Sequence, residues 1–324
     1  MITVPRSHHA VFVEAPARLH FGMLDLRGDL GRRFGGIGAA IPAPSLLLEA
    51  ERADELEATG PASARVLEFA RRFQTHHAQA GGARFHVHRA IPAHAGLGSG
   101  TQLALAAARA LAELYEVHLS PSALAQTVGR AQRSGVGTWI FALGGLVVEG
   151  GRREESDAAA PLLARYPMPE GWRAVVAIPH REESVSGEAE AHLFAHLRPP
   201  PEREVERVAH LVLMGMLPAL VEGDIDAFGR ALTEVQCVNG RWFASAQGGA
   251  FAPGASAELV RAMRAWGVPG VGQSSWGPAV YGIVGGDHAA TELATRIRDV
   301  LREAGEVYIG PFLNAPARVW RAPA

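Results

Sequence analysis

The sequence predicts an α+β fold built as two units. Three observations lead there. Strand-like and helical segments mix without the strict alternation of a βαβ array. A charged, then alanine- and proline-rich stretch without period interrupts the chain at residues 152–170. The 324 residues, 48% of them hydrophobic, suit one large domain or two of ordinary size with packed cores. The units are expected at residues 1–165 and 166–324.

The first unit opens with "AVFVEAPARLHFG", a β-rich run, and "SLLLEAERADELEAT" contains another strand. "ARVLEFARRFQTHHAQ" has helical periodicity. "ARFHVHRAI" alternates, with Phe85 and Val87 on one face and His86 and His88 on the other. It stops at Pro92, which cannot extend a ladder. Leu103, Ala107, Ala110, Leu111 and Leu114 then form one stripe of a buried helix. "SPSALAQTVGRAQ" starts a further helix, with Ser120 as N-cap and Pro121 at the first helical position. "WIFALGGLVVEGG" reads as a buried strand region broken by its glycine pair. In the second unit "WRAVVAI", "AVYGIVGG" and "EVYIGP" read as strands. Helices are expected over "EREVERVAHLVLMGMLPALVEG", "DIDAFGRALTEVQ", "ASAELVRAMRAWG" and "ATELATRIRDVLREAG".

Composition narrows the function. A net charge of -2 gives no electrostatic reason to expect nucleic acid or a membrane surface as partner. One cysteine, Cys237, rules out an intrachain disulfide and fits a reducing compartment. The first residues carry no apolar leader, and "LVLMGMLPALV" is too short to span a bilayer, so a cytoplasmic location is expected. All 31 basic residues are arginine. Without lysine there is neither a P-loop of the usual kind nor a lysine Schiff base. The pairs His8–His9 and His76–His77 lack partners at zinc-ligand spacing, and the acidic "REES" at 181–184 is expected as solvated loop.

The chemistry concentrates in "IPAHAGLGSGTQLALA". A helix N-terminus presents unsatisfied N–H groups and partial positive charge, and glycine lets backbone approach an anion. Gly96, Leu97, Gly98, Ser99, Gly100 and Thr101 are therefore the expected phosphate cradle.

This stretch resembles the second motif of the GHMP kinase superfamily. The resemblance implies an N-terminal domain with a left-handed β-α-β crossover and a C-terminal ferredoxin-like domain. In the kinases a Ser-Gly-x-Asp follows, with a Gly-Gly pair after it. Here Ser134, Gly135, Gly144 and Gly145 fall in register, but Gly137 stands at the acid position. A glycine can neither orient nor deprotonate a hydroxyl, help typically worth about 100- to 10,000-fold.

Three further stretches, "ARLHFGMLDLRGDLGRRFGGIGAAI", "SGVGTWIFALGGLVVEGG" and "GVGQSSWGPAVYGI", together with "FASAQGGAF", are similar to a non-kinase branch. That branch is the β-ribofuranosylaminobenzene 5'-phosphate synthase family. The resemblance implies a glycosyltransferase that joins phosphoribosyl pyrophosphate to 4-aminobenzoate. Carbon dioxide and pyrophosphate are released, in the first committed step toward methanopterin-type one-carbon carriers. It implies Mg2+, with Asp25 as the candidate ligand, and no requirement for ATP. Phe34 stands where an aspartate is common in archaeal members, so a metal role there does not carry over.

Arg18, His20 and Thr138 are the expected catalytic groups, Thr138 as a hydrogen-bond donor where the kinases place their acid. Arginine forks suit phosphate and carboxylate, which adds Arg32 and Arg33 as anion holders. His94, Trp139, Gln247, Ser274, Ser275 and Trp276 are expected to contact substrate, with Trp276 stacked on the acceptor ring. Phe141 is expected beside Trp139 on the wall opposite Trp276. A solvated arginine, a core aromatic and a turn-capping aspartate are the ordinary alternatives for Arg33, Phe141 and Asp25. The residues leave open whether the acceptor is 4-aminobenzoate or 4-hydroxybenzoate. An ATP-dependent kinase and a non-catalytic ligand-binding member are the rival functions. A homodimer is the expected assembly.

Overall fold

The computed structural model describes residues 9–78, 81–130, 133–153, 159–180 and 197–323. His8 and the acidic run at 181–184 lie outside the described residues. Strands β1 (His9–Asp25) and β2 (Phe34–Ala53) form a long antiparallel hairpin, the spine of the first sheet. The glycine-rich run at the start of β2 shows no strand period, yet it pairs. Its glycines serve packing. A Cβ at Gly36 or Gly38 would lie 2.7 Å from a methyl of Val136, so only bare backbone lets the following helix approach.

Prolines divide the hairpin. The register shifts between Pro16 and Ala17, opposite the segment containing Pro42 and Pro44, because proline has no N–H for the ladder. The outer edge of β2 changes partner across this break. Residues 47–53 pair with β4 (Gly82–Arg89), and residues 36–39 pair with β5 (Leu146–Glu149). Strand β3 (Glu57–Thr59) runs parallel to β4 through α1 (Ser63–His77), giving the expected β-α-β crossover. Strand β6 (Leu162–Tyr166) closes on β5. Helix α2 (Ser99–Leu114) packs on β1 and β2; alanine at 104, 106, 107, 108 and 110 lets it sit close, and all five are fully buried.

Helix α3 (Pro121–Thr127) starts as expected, with the Ser120 hydroxyl accepting from the Ala123 N–H at 3.2 Å. "WIFAL" corrects the sequence reading: it lies in α4 (Val136–Leu143), not in a strand. A short all-apolar run has no period to separate helix from strand. The glycine pair still marks the boundary, ending α4 with φ of 62° and 74° before β5 begins.

The second sheet has the antiparallel order β10-β7-β9-β8, from β7 (Trp172–Pro179), β8 (Gly270–Gln273), β9 (Val280–Gly285) and β10 (Gly305–Pro311). Helix α8 (Ala255–Ala265) precedes β8, and α9 (Gly286–Leu301) joins β9 to β10. This is the ferredoxin-like β-α-β-β-α-β plan. The additional helices before α8 are α5 (Glu202–Leu211), a π turn (Val212–Met216), α6 (Leu217–Glu222) and α7 (Ile225–Gln247). The last continues to Gln247 rather than stopping at Gln236. Asn239 and Gly240 are poor helix formers, but Gly240 is held where a Cβ would lie 2.4 Å from the Ala250 carbonyl. The expected cut at 165/166 falls inside β6, and the chain returns to the first sheet as β11 (Arg318–Pro323), paired with β1. Among the described residues no helix is long and apolar enough to cross a membrane.

The two sheets meet at the end of β1, where a bulge between His20 and Gly22 frees backbone groups. Side chains from the second unit take them up. The His20 N–H donates to Ser274 Oγ at 2.9 Å, and Gln236 Nε2 donates to the Phe21 carbonyl at 2.7 Å. Asn239 accepts from the Met23 N–H and donates to its carbonyl at 3.1 Å. The Ser274 hydroxyl donates in turn to the Gly96 carbonyl at 2.7 Å, tying the glycine loop to the turn after β8.

Gly96→Ala tests this junction. Gly96 has φ of 77°, and a Cβ there would lie 2.1 Å from the Ser274 carbonyl oxygen, which is backbone and cannot swing aside. Overpacking of this kind costs about 1–3 kcal/mol, before the left-handed φ is counted. The expected result in chemical denaturation is a clear fall in stability. An unchanged midpoint would show that the two units are not in contact here.

Candidate active site

The junction opens into a cavity of about 240 Å³. Its walls are the end of β1, the start of α2, the residues leading into α4, helix α7 and the turn between β8 and β9. Both units contribute to it.

The glycine loop forms as the sequence suggests. Gly96 and Gly98 adopt φ of 77° and 80°, conformations open to glycine at little cost, and Gly98 caps α2 without a side-chain hydrogen bond. No acidic residue occupies the first turn of α2. The helix therefore presents its positive end unopposed by its own side chains. Thr101 is the loop residue on the cavity wall. The Arg18 guanidinium donates to the Gly96 carbonyl, and the Arg18 N–H donates to the Leu97 carbonyl at 3.1 Å.

Arginines gather at this end, and only one was legible beforehand. Arg18, Arg130 and Arg133 line the cavity. A Cβ at Gly100 would meet Arg65 Nη2 at 2.7 Å and Arg130 Nη2 at 3.4 Å, so both forks reach the first turn of α2. Phe69 carries them on its ring, with the Arg130 and Arg65 guanidinium carbons 4.9 and 5.8 Å from its centroid. Arg32 and Arg33 face away from the cavity. Arg32 donates to the Gly151 carbonyl at 3.2 Å, and Arg33 donates to the Leu26 carbonyl at 3.3 Å.

His20 lies on the cavity wall, 5% exposed. Burial, and then the nearby Arg18 charge, push its pKa down to about 3, so the ring is neutral at neutral pH. Its Nε2 is 3.5 Å from the Ser134 hydroxyl, also on the wall. Behind Ser134 stands a group the sequence reading missed. Glu149, the last residue of β5, is fully buried and hydrogen-bonded to the Ser134 side chain. It also accepts from the N–H groups of Gly135 at 3.1 Å and Gly151 at 2.8 Å. Burial raises its pKa to about 7 against the opposing pull of these bonds.

The opposite wall is aromatic and amide. Trp276, half-buried, meets Phe243 edge-on with centroids 5.1 Å apart. Both line the cavity, as do Gln247 and Ser275. Gln247 is held by the Ala250 carbonyl at 2.9 Å, and Gln273 donates to its Oε1 at 3.3 Å. Ser274 is buried and acts through the junction described above.

Thr138, Trp139 and His94 are not brought to the cavity wall. One residue of helix turns a side chain by about 100°, so Gly137 faces the cavity and Thr138 points into the protein, 1% exposed. Trp139 donates to the Ala160 carbonyl at 2.9 Å and packs with Val136 and Ile140. His94 is exposed, with φ of 58°. Asp25 also lies off the wall. Its Oδ1 accepts from the N–H groups of Arg27 at 2.6 Å and Gly28 at 3.1 Å, the turn-capping arrangement. Among the described residues no three His, Cys, Asp or Glu side chains gather to hold a metal. The cavity's donor set of arginine, hydroxyl and amide does not fit a protein-held Mg2+.

Comparison with known proteins bears on this geometry. Residues 64–145 match the GHMP kinases N terminal domain, and residues 216–303 match the GHMP kinases C terminal model. The chain is 38% identical to the β-ribofuranosylphenol 5'-phosphate synthase of Methanothermobacter thermautotrophicus, over 84% of this chain and 88% of that protein. It is 34% identical to the protein of the same name from Archaeoglobus fulgidus, over 90% and 93%. Solved structures similar in fold include homoserine kinase from Cytophaga hutchinsonii, with a TM-score of 0.70 and 16% identity over 99% of both chains. Another is mevalonate kinase from L. major, with a TM-score of 0.69 and 15% identity over 98% of this chain and 99% of that one.

The buried pair of titrating groups predicts a pH signature in stability. An unfolded histidine near 6.5 takes a proton that His20, near 3, refuses, so its contribution is lost as pH falls below 6.5. Glu149 has the opposite sign: with its pKa raised from 4.5 to about 7, its contribution is lost as pH rises through that window. His20→Gln removes the first effect alone. Relative to the parent, the variant should gain about 1.4 kcal/mol per pH unit below 6.5 in urea denaturation. A pH-independent difference would mean that the ring is solvated.

Proposed function

The chain belongs to the β-ribofuranosylphenol 5'-phosphate synthase family, and from that premise we propose that it is a decarboxylating C-riboside synthase. It joins phosphoribosyl pyrophosphate to a para-substituted benzoate and releases carbon dioxide and pyrophosphate. The relatives' names specify a phenol product, which supports 4-hydroxybenzoate as the acceptor. The aminobenzene product expected from the sequence differs from it only at the para atom. The observation that carries the reading is the composition of one cavity. Arg18 and Arg130 lie at its phosphate end with Arg133 also on the wall, the Trp276 and Phe243 rings meet edge to face on another side, and Gly137 stands where a kinase acid would be.

The chain's residues have three tasks. The arginines and the start of α2 hold the anionic sugar and counter the charge that grows on departing pyrophosphate. Neutral His20 offers hydrogen bonding beside Arg18 without adding a second positive charge. The aromatic wall holds the acceptor ring so that its carboxyl-bearing carbon faces the anomeric carbon. The ring's electron pair forms the carbon–carbon bond as the C–O bond to pyrophosphate breaks. Loss of carbon dioxide then returns the bonding pair to the ring. Mg2+, where required, would arrive with the pyrophosphate group, and no step here depends on it. The small-molecule substrates, a cytoplasmic location and a homodimer are parts of the same proposal. Kinase action is disfavoured because a Cβ at Gly137 would lie 2.9 Å from Thr101 Cγ2, leaving little room for an acid there.

Carboxyl-labelled 4-hydroxybenzoate and 4-aminobenzoate, each incubated with phosphoribosyl pyrophosphate, provide the test. Label released as carbon dioxide, dependent on the sugar phosphate, is expected with at least one acceptor. ATP turnover without such release would establish the kinase reading instead. Trp276→Ala should raise the acceptor KM and lower kcat more, because a ring misplaced by about 1 Å can cost on the order of 100-fold in rate. The KM for phosphoribosyl pyrophosphate should stay unchanged. Normal single-turnover chemistry in the folded variant would sink the stacking role.

A further inference from the structure

Gripping the sugar phosphate and stacking the acceptor leave one buried group without a task. Glu149 is shut away from solvent, yet a single hydroxyl separates it from the cavity. That hydroxyl is Ser134 Oγ, and neutral His20 stands on its other side, with Nε2 at 3.5 Å. The wall behind is tightly filled. A Cβ at Gly36 would lie 2.8 Å from Glu149 Oε1 and 3.1 Å from Ser134 Oγ, so β2 has no room for a side chain there. The partners of the carboxyl are two backbone N–H groups and the serine, not a cation.

A carboxyl held this way can gain and lose a proton at modest cost near neutrality, and its raised pKa of about 7 accords with that. The reaction read above has a use for such a group only when the acceptor carries a hydroxyl. A para-amino group pushes electrons into the ring through its lone pair and keeps its hydrogens. A phenol pushes well only as its O–H bond breaks.

We propose that Glu149 is a positioning residue for proton transfer: acting through Ser134, it takes the para-hydroxyl proton of the acceptor as the ring attacks and returns it after carbon dioxide has left. This rests on the decarboxylating C-riboside reading. The phenol proton passes to Ser134 Oγ, whose own proton passes to the Glu149 carboxylate. The oxygen pair drives formation of the bond to the anomeric carbon, and pyrophosphate leaves with its electron pair. The bond to the carboxylate breaks, carbon dioxide departs, and the pair restores the ring and the phenolate. Glu149 then returns the proton through Ser134, so no proton is gained or lost overall.

The experiment compares the parent with Glu149→Gln and Ser134→Ala on two acceptors. One is 4-hydroxybenzoate. The other is 3,5-difluoro-4-hydroxybenzoate, whose phenol is already ionised at neutral pH and needs no proton acceptor. With 4-hydroxybenzoate, both variants should lose about 100-fold or more in kcat. With the difluoro acceptor the ratio of variant to parent should rise at least tenfold toward one, and the KM for phosphoribosyl pyrophosphate should hold. Equal losses on both acceptors would reduce Glu149 to a structural tie and overturn the proposal. A parent active only on 4-aminobenzoate would overturn it too. Should Glu149→Gln not fold, Ser134→Ala decides by the same ratio. A parent that releases no carbon dioxide from any of these benzoates would fail the underlying reading instead.

Discussion

The end of β1 cannot satisfy its own backbone, and the rest of the site depends on that. A strand that bulges between His20 and Gly22 leaves N–H and carbonyl groups which, once buried, must find partners. They find them on the second unit, in Ser274, Gln236 and Asn239. Those bonds fix the angle at which the ferredoxin-like sheet meets the first one. They also fix the position of Arg18 and His20 relative to Trp276. Gly22 belongs to the same constraint: a Cβ there would lie 2.7 Å from Asn239 Oδ1. The bulge is therefore both a fault in the ladder and the socket that joins the two units.

From that junction the electrostatics follow. One end of the cavity gathers Arg18 and Arg130 beside the positive start of α2, with Arg65 reaching the first turn and Arg133 also on the wall. The nearest buried acid, Glu149, is held off by the width of one serine. An acid placed at Gly137 instead would stand on the wall itself, where it would repel bound phosphate. Two unit charges about 4 Å apart repel by roughly 4 kcal/mol at an effective dielectric of 20. Moving the carboxyl back behind Ser134 keeps a proton acceptor within reach of the cavity while removing most of that repulsion.

What could be read from the chain alone follows a physical line. The glycine loop was legible because positive φ and a helix start both leave marks in local sequence, and Gly96 and Gly98 use them as expected. The ferredoxin-like plan and the family were legible through several motifs together. Arg65, Arg130 and Arg133 were not, because a long side chain on a helix or loop declares its direction only when its neighbours, here Phe69, are in place. Glu149 was missed because it closes an apolar strand and two of its three partners are backbone groups, which carry no residue signature. Thr138 was chosen over Gly137 by one position, and one position on a helix swings a side chain by about 100°, here off the wall. "WIFAL" went wrong for want of any period at all.

The fold is shared with homoserine and mevalonate kinases, and the proposed reaction asks something different of it. A kinase needs one proton removed from an attacking hydroxyl, next to the phosphorus. A C-riboside synthase has its nucleophile in a ring and its proton at the far side of that ring. On the proposed reading the same cavity calls for an aromatic face, for which Trp276 stands edge to face with Phe243, and for a proton acceptor set back from the wall. On the proposed reading, glycine at 137 and glutamate at 149 are two halves of one displacement: the first clears the wall, and the second sets the acid on β5, behind the Ser134 hydroxyl.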